Sequence, residues 1–145
     1  MRRDPITREV VDLIAGMSTR FHDEYEAAAA THDLTGVQAK LLGVVAERPV
    51  PMNQIATLLK CEPSNITGLV DRLAARGFVT RQPSPTDRRV KLVAATPAGA
   101  EVSGKVWANL DFAAEPLAAL SDEERRTLRD LLRRIGQNGA AAPVS

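Results

Sequence analysis

Pro63 and Gly77 bracket a stretch that is built to be one helix, and the rest of the chain has to be arranged around it. Pro63 follows Glu62, a carboxylate placed to cap, and proline at the first helical position gives up an N–H that has no intrahelical partner there. Gly77 supplies a stop, because glycine adopts a positive φ cheaply. Over about residues 63 to 76, Ile66, Leu69, Val70 and Leu73 recur at i, i+3, i+4 and i+7 and form one apolar stripe. Ser64, Asn65, Thr67, Gly68 and Arg72 are left on the polar side. Short polar side chains near a helix N-terminus can enter the major groove of DNA and bond base edges, the helix dipole can meet phosphate, and Gly68 lets a backbone come close. By itself the pattern also fits an ordinary amphipathic helix with a solvated outer face.

The residues on either side decide between these. Upstream, Thr35 and Gln38 make a capping box that opens a helix carrying Val37, Leu41, Val44 and Val45 inward. Pro49 and Pro51 cannot lie inside it, so a third, short helix begins near Pro51 or Met52 and carries Ile55, Ala56, Leu58 and Leu59. Only Leu59-Lys60-Cys61 separates that helix from the stretch beginning at Pro63. Two short helices joined by so tight a turn, the second with a polar leading face, predict a helix-turn-helix, with Lys60 or Cys61 absorbing the turn's strain.

Downstream of Gly77 the period changes from helical to strand-like. Phe78–Gln82 and Val90–Ala94 are short β-prone runs and pair as a hairpin. The loop between them, Pro83-Ser84-Pro85-Thr86-Asp87-Arg88-Arg89, is rich in turn formers and ends in two arginines. Such a loop is either a solvated turn or a probe for the minor groove. A basic hairpin directly after a helix-turn-helix makes a winged helix, a far more specific combination than either half.

In these residues the chain resembles the multiple-antibiotic-resistance regulator (MarR) family. The resemblance spans residues 35–99 and is carried by the run Ser64 to Leu73, by Arg76-Gly77-Phe78-Val79, by Asp87-Arg88-Arg89 and by Thr96-Pro97-Ala98-Gly99. Ala95 stands where the family usually has leucine, a difference that touches packing and not readout. The resemblance implies that Ser64, Asn65, Thr67 and Gly68 face the major groove, and that Arg72 contacts phosphate or braces the wing. It further implies that Asp87 holds the wing's base by hydrogen bonds while Arg89, with Arg88 beside it, reaches the minor groove.

Helices flank this module on both sides. Asp4 caps and Pro5 opens a long first helix with Ile6, Val10, Leu13, Ile14, Met17 and Phe21 in one stripe, running on to Ala30. Thr96 and Pro97 open a fifth, with Val102, Val106, Leu110 and Leu117 spaced along it, Trp107 beside them and Pro116 expected to kink or end it. Ser121 and Glu124 box the start of a last helix with Leu128, Leu131, Leu132 and Ile135 on one face, closed by Gly136, and the tail from Asn138 reads as frayed. One small central module cannot cover both terminal stripes. The expected architecture is mainly α with a small β-hairpin wing (α+β): a winged helix-turn-helix DNA-binding domain over residues 35–99, and a helical dimerisation region over residues 1–34 and 100–145. In the resembling family the terminal helices interlock as a homodimer.

Composition agrees with a double-stranded DNA partner once charge is placed along the chain. The net charge is only +1, yet residues 1–50 hold 6 basic and 8 acidic side chains, residues 51–100 hold 7 and 3, and residues 101–145 hold 6 and 7. The positive field is thus concentrated on the central module. Aromatic residues at 3% leave few platforms for stacking single strands. No apolar run approaches a membrane span and Arg2-Arg3 leads into Asp4-Pro5 rather than a signal peptide, so no membrane partner and a cytoplasmic location are expected.

Catalytic and metal chemistry have no frame here. Ser, His and Asp occur without a nucleophile motif, metal cluster or phosphate loop, so no enzyme activity and no cofactor are expected. His22 and His32 stand ten residues apart without clustered carboxylates, and read as surface or pocket residues rather than a metal pair. The single cysteine, Cys61, forms no disulfide within the chain and fills the turn. The alternative is a redox-responsive regulator of the same fold using Cys61, but redox members of the resembling family sense through a cysteine in the first helix, where this chain has none. The family further implies a small, often phenolic or otherwise aromatic effector that moves the recognition helices out of register on a pseudo-palindromic operator, and so a regulator that is most often a repressor; its ligand-binding residues are not legible in the sequence.

Overall fold

A computed structural model describes residues 4–140, with residues 112–115 and 138–140 described as backbone only. The element order is α1 (Pro5–Ala30), α2 (Gly36–Val45), β1 (Val50–Pro51), α3 (Met52–Leu59), α4 (Pro63–Ala75), β2 (Val79–Pro83), β3 (Lys91–Ala95), α5 (Pro97–Ala108), α6 (Asp111–Ala118) and α7 (Asp122–Ala140). The helices start where their caps require. The Asp4 carboxylate accepts from the Thr7 N–H, Thr35 and Gln38 complete a reciprocal box, and Ser121 and Glu124 form another. Thr96 accepts from the Gly99 N–H while its own hydroxyl donates to the Gly77 carbonyl at 2.6 Å, which seats the start of α5 on the turn that ends α4. Gly99 is required at that seat: a Cβ there would lie 2.0 Å from the Phe78 carbonyl oxygen.

Several expectations are corrected. Glu62 occupies the N-cap of α4, but its side chain makes no capping bond, so Pro63 and the tertiary setting fix that end. Leu58 is 55% exposed, because α3 has only two turns and Ile55 and Ala56 already occupy its inward side. A short strand absent from the sequence reading, β1, pairs with β3 (Val50 with Val93, Pro51 with Leu92), so the wing is a three-stranded antiparallel sheet in the order β1-β3-β2. The fifth helix ends at Ala108 and not at Pro116, which lies inside α6; bonds from Asn109 and Leu110 back to Val106 and Trp107 tighten the last turn and close it. Gly136 does not close α7, which continues to Ala140, so Asn138 to Ala140 are helical, whereas residues 141–145 lie outside the described residues.

The chain divides into two compact units between Leu110 and Asp111. In the first, Leu41, Leu42 and Val45 of α2, Ile55 of α3, Ile66, Val70 and Leu73 of α4, Val93 of β3 and Val106 of α5 are fully buried. Each contributes roughly 1.5 to 3 kcal/mol by leaving water. The stripe of α4 is therefore clamped from several elements at once, and its polar side is turned outward. The second unit holds α6 and α7, and Leu131, Leu132 and Ile135 on α7 are exposed.

Candidate nucleic-acid interface

The turn between α3 and α4 is made by Lys60, whose backbone is left-handed at φ 52 and whose N–H returns to α3 while Cys61 N–H bonds the Ala56 carbonyl. Of the two residues able to take the strain, Lys60 takes it. Cys61 is half-buried, with Sγ 3.4 Å from the Leu59 carbonyl oxygen, and packs against the core.

On α4, Ser64, Asn65, Thr67 and Arg72 are exposed and Gly68 is half-buried. The Thr67 hydroxyl donates to the Pro63 carbonyl at 3.3 Å, which leaves its oxygen lone pairs outward. A Cβ on Gly68 would meet nothing within 4 Å. The chain's own packing therefore does not require glycine there; a surface that must be approached closely from outside would.

The wing pairs Val79 with Ala95, Arg81 with Val93 and Pro83 with Lys91. Its loop closes through Ser84 N–H to the Val90 carbonyl at 2.9 Å, and Val90 N–H to the Asp87 carbonyl at 3.1 Å. Within the loop the Asp87 carboxylate accepts from the Arg89 N–H at 3.0 Å, an Asx turn that fixes the backbone from which Arg88 and Arg89 project. Arg88 and Arg89 are exposed. Among the described residues, Arg72, Arg88 and Arg89 have no carboxylate partner, whereas Arg81 is ion-paired with Asp71 of α4. Three cations without a carboxylate partner thus lie on the wing loop and on α4. Asp71 and Arg81 were missed in the sequence, since a helix residue and a strand residue ten positions apart share no local pattern.

A second cluster lies among α1, α2 and α5. Tyr25 packs against Phe21 with ring centroids 5.6 Å apart and meets Trp107 edge-on at 6.5 Å, and the Lys40 ammonium lies 5.7 Å from the Tyr25 ring centroid. The Tyr25 hydroxyl, Trp107 Nε1 and the Ser103 hydroxyl all converge on Gly43, at 3.6, 3.8 and 3.9 Å from where its Cβ would stand. Ser103 is a buried polar residue, and burial pushes the Tyr25 phenol above its ordinary pKa. Phe21 belongs to the stripe read along α1, but Tyr25 one turn on, and what meets it from α5, were missed in the sequence. The two histidines do not join: His22 lies 3.9 Å from Glu26, and among the described residues no group of three or more His, Cys, Asp or Glu could hold a metal ion.

This geometry agrees with what the chain resembles. The MarR family model matches residues 32–90, the span from the turn before α2 to the end of the wing loop. The transcriptional regulator MhqR of Bacillus subtilis is 33% identical over 91 residues, 61% of this chain and 61% of that protein. The crystal structure of wild-type Escherichia coli MarR in its apo form superposes with a TM-score of 0.71 at 25% identity, covering 93% of this chain and 98% of that one. The structure of CouR from Rhodococcus jostii RHA1 bound to p-coumaroyl-CoA superposes with a TM-score of 0.77 at 26% identity, covering 92% and 95%. With an exposed polar start to α4 and two arginines on a braced wing loop, both inside the span that the family model matches, the chain belongs to the MarR family, whose members are DNA-binding transcriptional regulators and not enzymes.

Proposed function

We propose that the protein is a homodimeric repressor that sits on a pseudo-palindromic double-stranded operator and is released by a small aromatic or phenolic ligand. The observation that carries DNA recognition is the pairing, on one module, of an exposed polar start to α4 with unneutralised arginines on the wing loop. In this reading Ser64, Asn65, Thr67 and Gly68 read the major groove, Arg72 meets phosphate, and Arg89 with Arg88 enters the minor groove from a loop held by Asp87. Residues 35–99 are the DNA-binding domain, and residues 1–34 and 100–145 supply the dimer contacts. Support for a dimer comes from Ile6, Val10, Val11, Leu13, Ile14 and Met17, all exposed on α1, and separately from the exposed leucines of α7.

The ligand would lie at the cluster around Gly43, where Phe21, Tyr25 and Trp107 offer ring faces and edges and the converging donors suit a phenolate or carbonyl oxygen. No helix among the described residues is long and apolar enough to cross a membrane, in keeping with a regulator working on DNA in the cytoplasm. Genomic footprinting with sedimentation on the recovered duplex tests the proposal. Two protomers on an inverted repeat are expected; a single protomer on an asymmetric site would overturn it.

A further inference from the structure

The end of α4 is tied to the end of α1 by one side chain. Arg76 follows the last turn of α4, and its guanidinium crosses to the connection after α1, where Nη1 donates to the Asp33 carbonyl at 2.6 Å and Nη2 to the His32 carbonyl at 3.1 Å. That connection needs support. α1 has no basic residue in its last turn, and the chain leaves it through Asp33 in a left-handed conformation at φ 56, with Leu34 N–H folding back to the Ala29 carbonyl. Left-handed backbone is unfavourable for a residue that carries a Cβ, and an aspartate tolerates it only with local support. The planar fork of an arginine suits two successive carbonyls in a way that a lysine ammonium does not. The same guanidinium lies 4.9 Å from the centroid of the Phe78 ring, at the threshold of β2. One flat group therefore touches the end of α1, the end of α4 and the start of the wing.

These three elements have different tasks. α1 carries the apolar face offered to a second copy, while α4 and the wing carry the groups offered to DNA. We infer that Arg76 is a positioning residue that fixes how far apart the two recognition helices stand in the dimer, and so sets the half-site spacing the protein accepts. This rests on the homodimeric reading above. Moving one half-site by a base pair displaces it about 3.4 Å along the axis and rotates it roughly 35°. A recognition helix clamped to the dimer's own helix cannot follow that change, and one released at its C-terminal end can.

The test uses the full chain and a duplex that the wild type selects from a random pool, rebuilt with its half-sites moved together or apart by one and two base pairs. Wild type should lose about tenfold or more in affinity for a one-base-pair shift. Arg76→Ala should bind the native spacing more weakly and show a flattened profile, with a loss of about threefold or less across the same shift. Arg76→Lys keeps the charge without the fork, should fold, and should give an intermediate profile. If both variants weaken binding equally at every spacing and keep the wild-type profile, Arg76 is a stabilising clasp and the inference is wrong. If the wild type itself ignores spacing and sediments as one protomer per duplex, the homodimeric reading fails and takes the inference with it.

Discussion

Asp71 on α4 and Arg81 on β2 form an ion pair that joins that helix to the wing. Arg81 sits opposite Val93 in the sheet, so the bond anchors the strand at its middle and not at its tip. Side-chain exposure is 60% for Asp71 and 34% for Arg81, which limits the pair to about 0.2 to 1 kcal/mol of stability. Its consequence is orientation: the helix and the wing proposed to meet adjacent grooves are held in one frame.

Arg81→Ala should therefore lower DNA affinity by more than it lowers stability, with a melting temperature only a few degrees down. Combining Asp71→Arg with Arg81→Asp should restore part of the affinity lost in either single variant. Paired thermal melts and binding titrations check this, and a double variant no better than the worse single one would show that the two residues act separately.

Arg89 and Asn65 should fail in different ways. Arg89→Ala removes an unpaired cation, so affinity should fall by about 1 to 3 kcal/mol and the salt slope should shrink by about one. Asn65→Ala should remove the proposed base-edge contact, relaxing preference at one or two positions of each half-site with the slope nearly unchanged. Titration over a salt series on operator and scrambled duplexes separates them; an Arg89→Ala protein with the wild-type slope would make the wing loop a plain turn.

Leu13 is 61% exposed on the apolar face of α1. Leu13→Glu adds a charge to a face expected to meet its own copy, where desolvation would be costly, while leaving an isolated protomer's core intact. Sedimentation should show monomers with unchanged helix content. A Leu13→Glu protein that remains dimeric would move the interface elsewhere.

Gly99→Ala places a methyl group against the Phe78 carbonyl, a backbone atom that cannot swing aside. The start of α5 must lift from the turn after α4, at a cost of about 1 to 3 kcal/mol. Urea unfolding measures it directly. Gly68→Ala, where nothing stands within 4 Å, should leave stability equal or slightly raised yet weaken DNA binding, and the contrast separates a glycine kept for packing from one kept for approach.

Tyr25 gives the fold an alkaline limit. Burial raises the phenol's pKa in the folded chain above its ordinary value of 10.0. Below that ordinary value both states are neutral and the full contribution is present; as pH climbs past it the unfolded chain ionises first, and stability falls until the folded value is passed. Tyr25→Phe has no proton to lose, so the drop in urea midpoint between about pH 8 and about pH 10.5 should be smaller than in wild type. Equal drops would place the alkaline loss on other groups.

What the sequence by itself determined is what short range decides. The caps at Asp4, Thr35, Thr96 and Ser121 bond an N–H three residues away, Pro63 and Gly77 act through their own φ, and the apolar stripe of α4 repeats every turn, so helix starts, the helix-turn-helix and the basic hairpin could all be read in the linear chain. Tertiary structure decided whatever depends on a partner far along the chain. β1 is two residues long and exists only because Val50 and Pro51 find β3. Leu58 looks like a core residue until Ile55 and Ala56 fill the available side of α3. Arg76 could not be linked to His32 and Asp33, nor Arg81 to Asp71, nor Tyr25 to Trp107, because each pair is joined by packing and shares no period that a single helix or strand would print in the sequence.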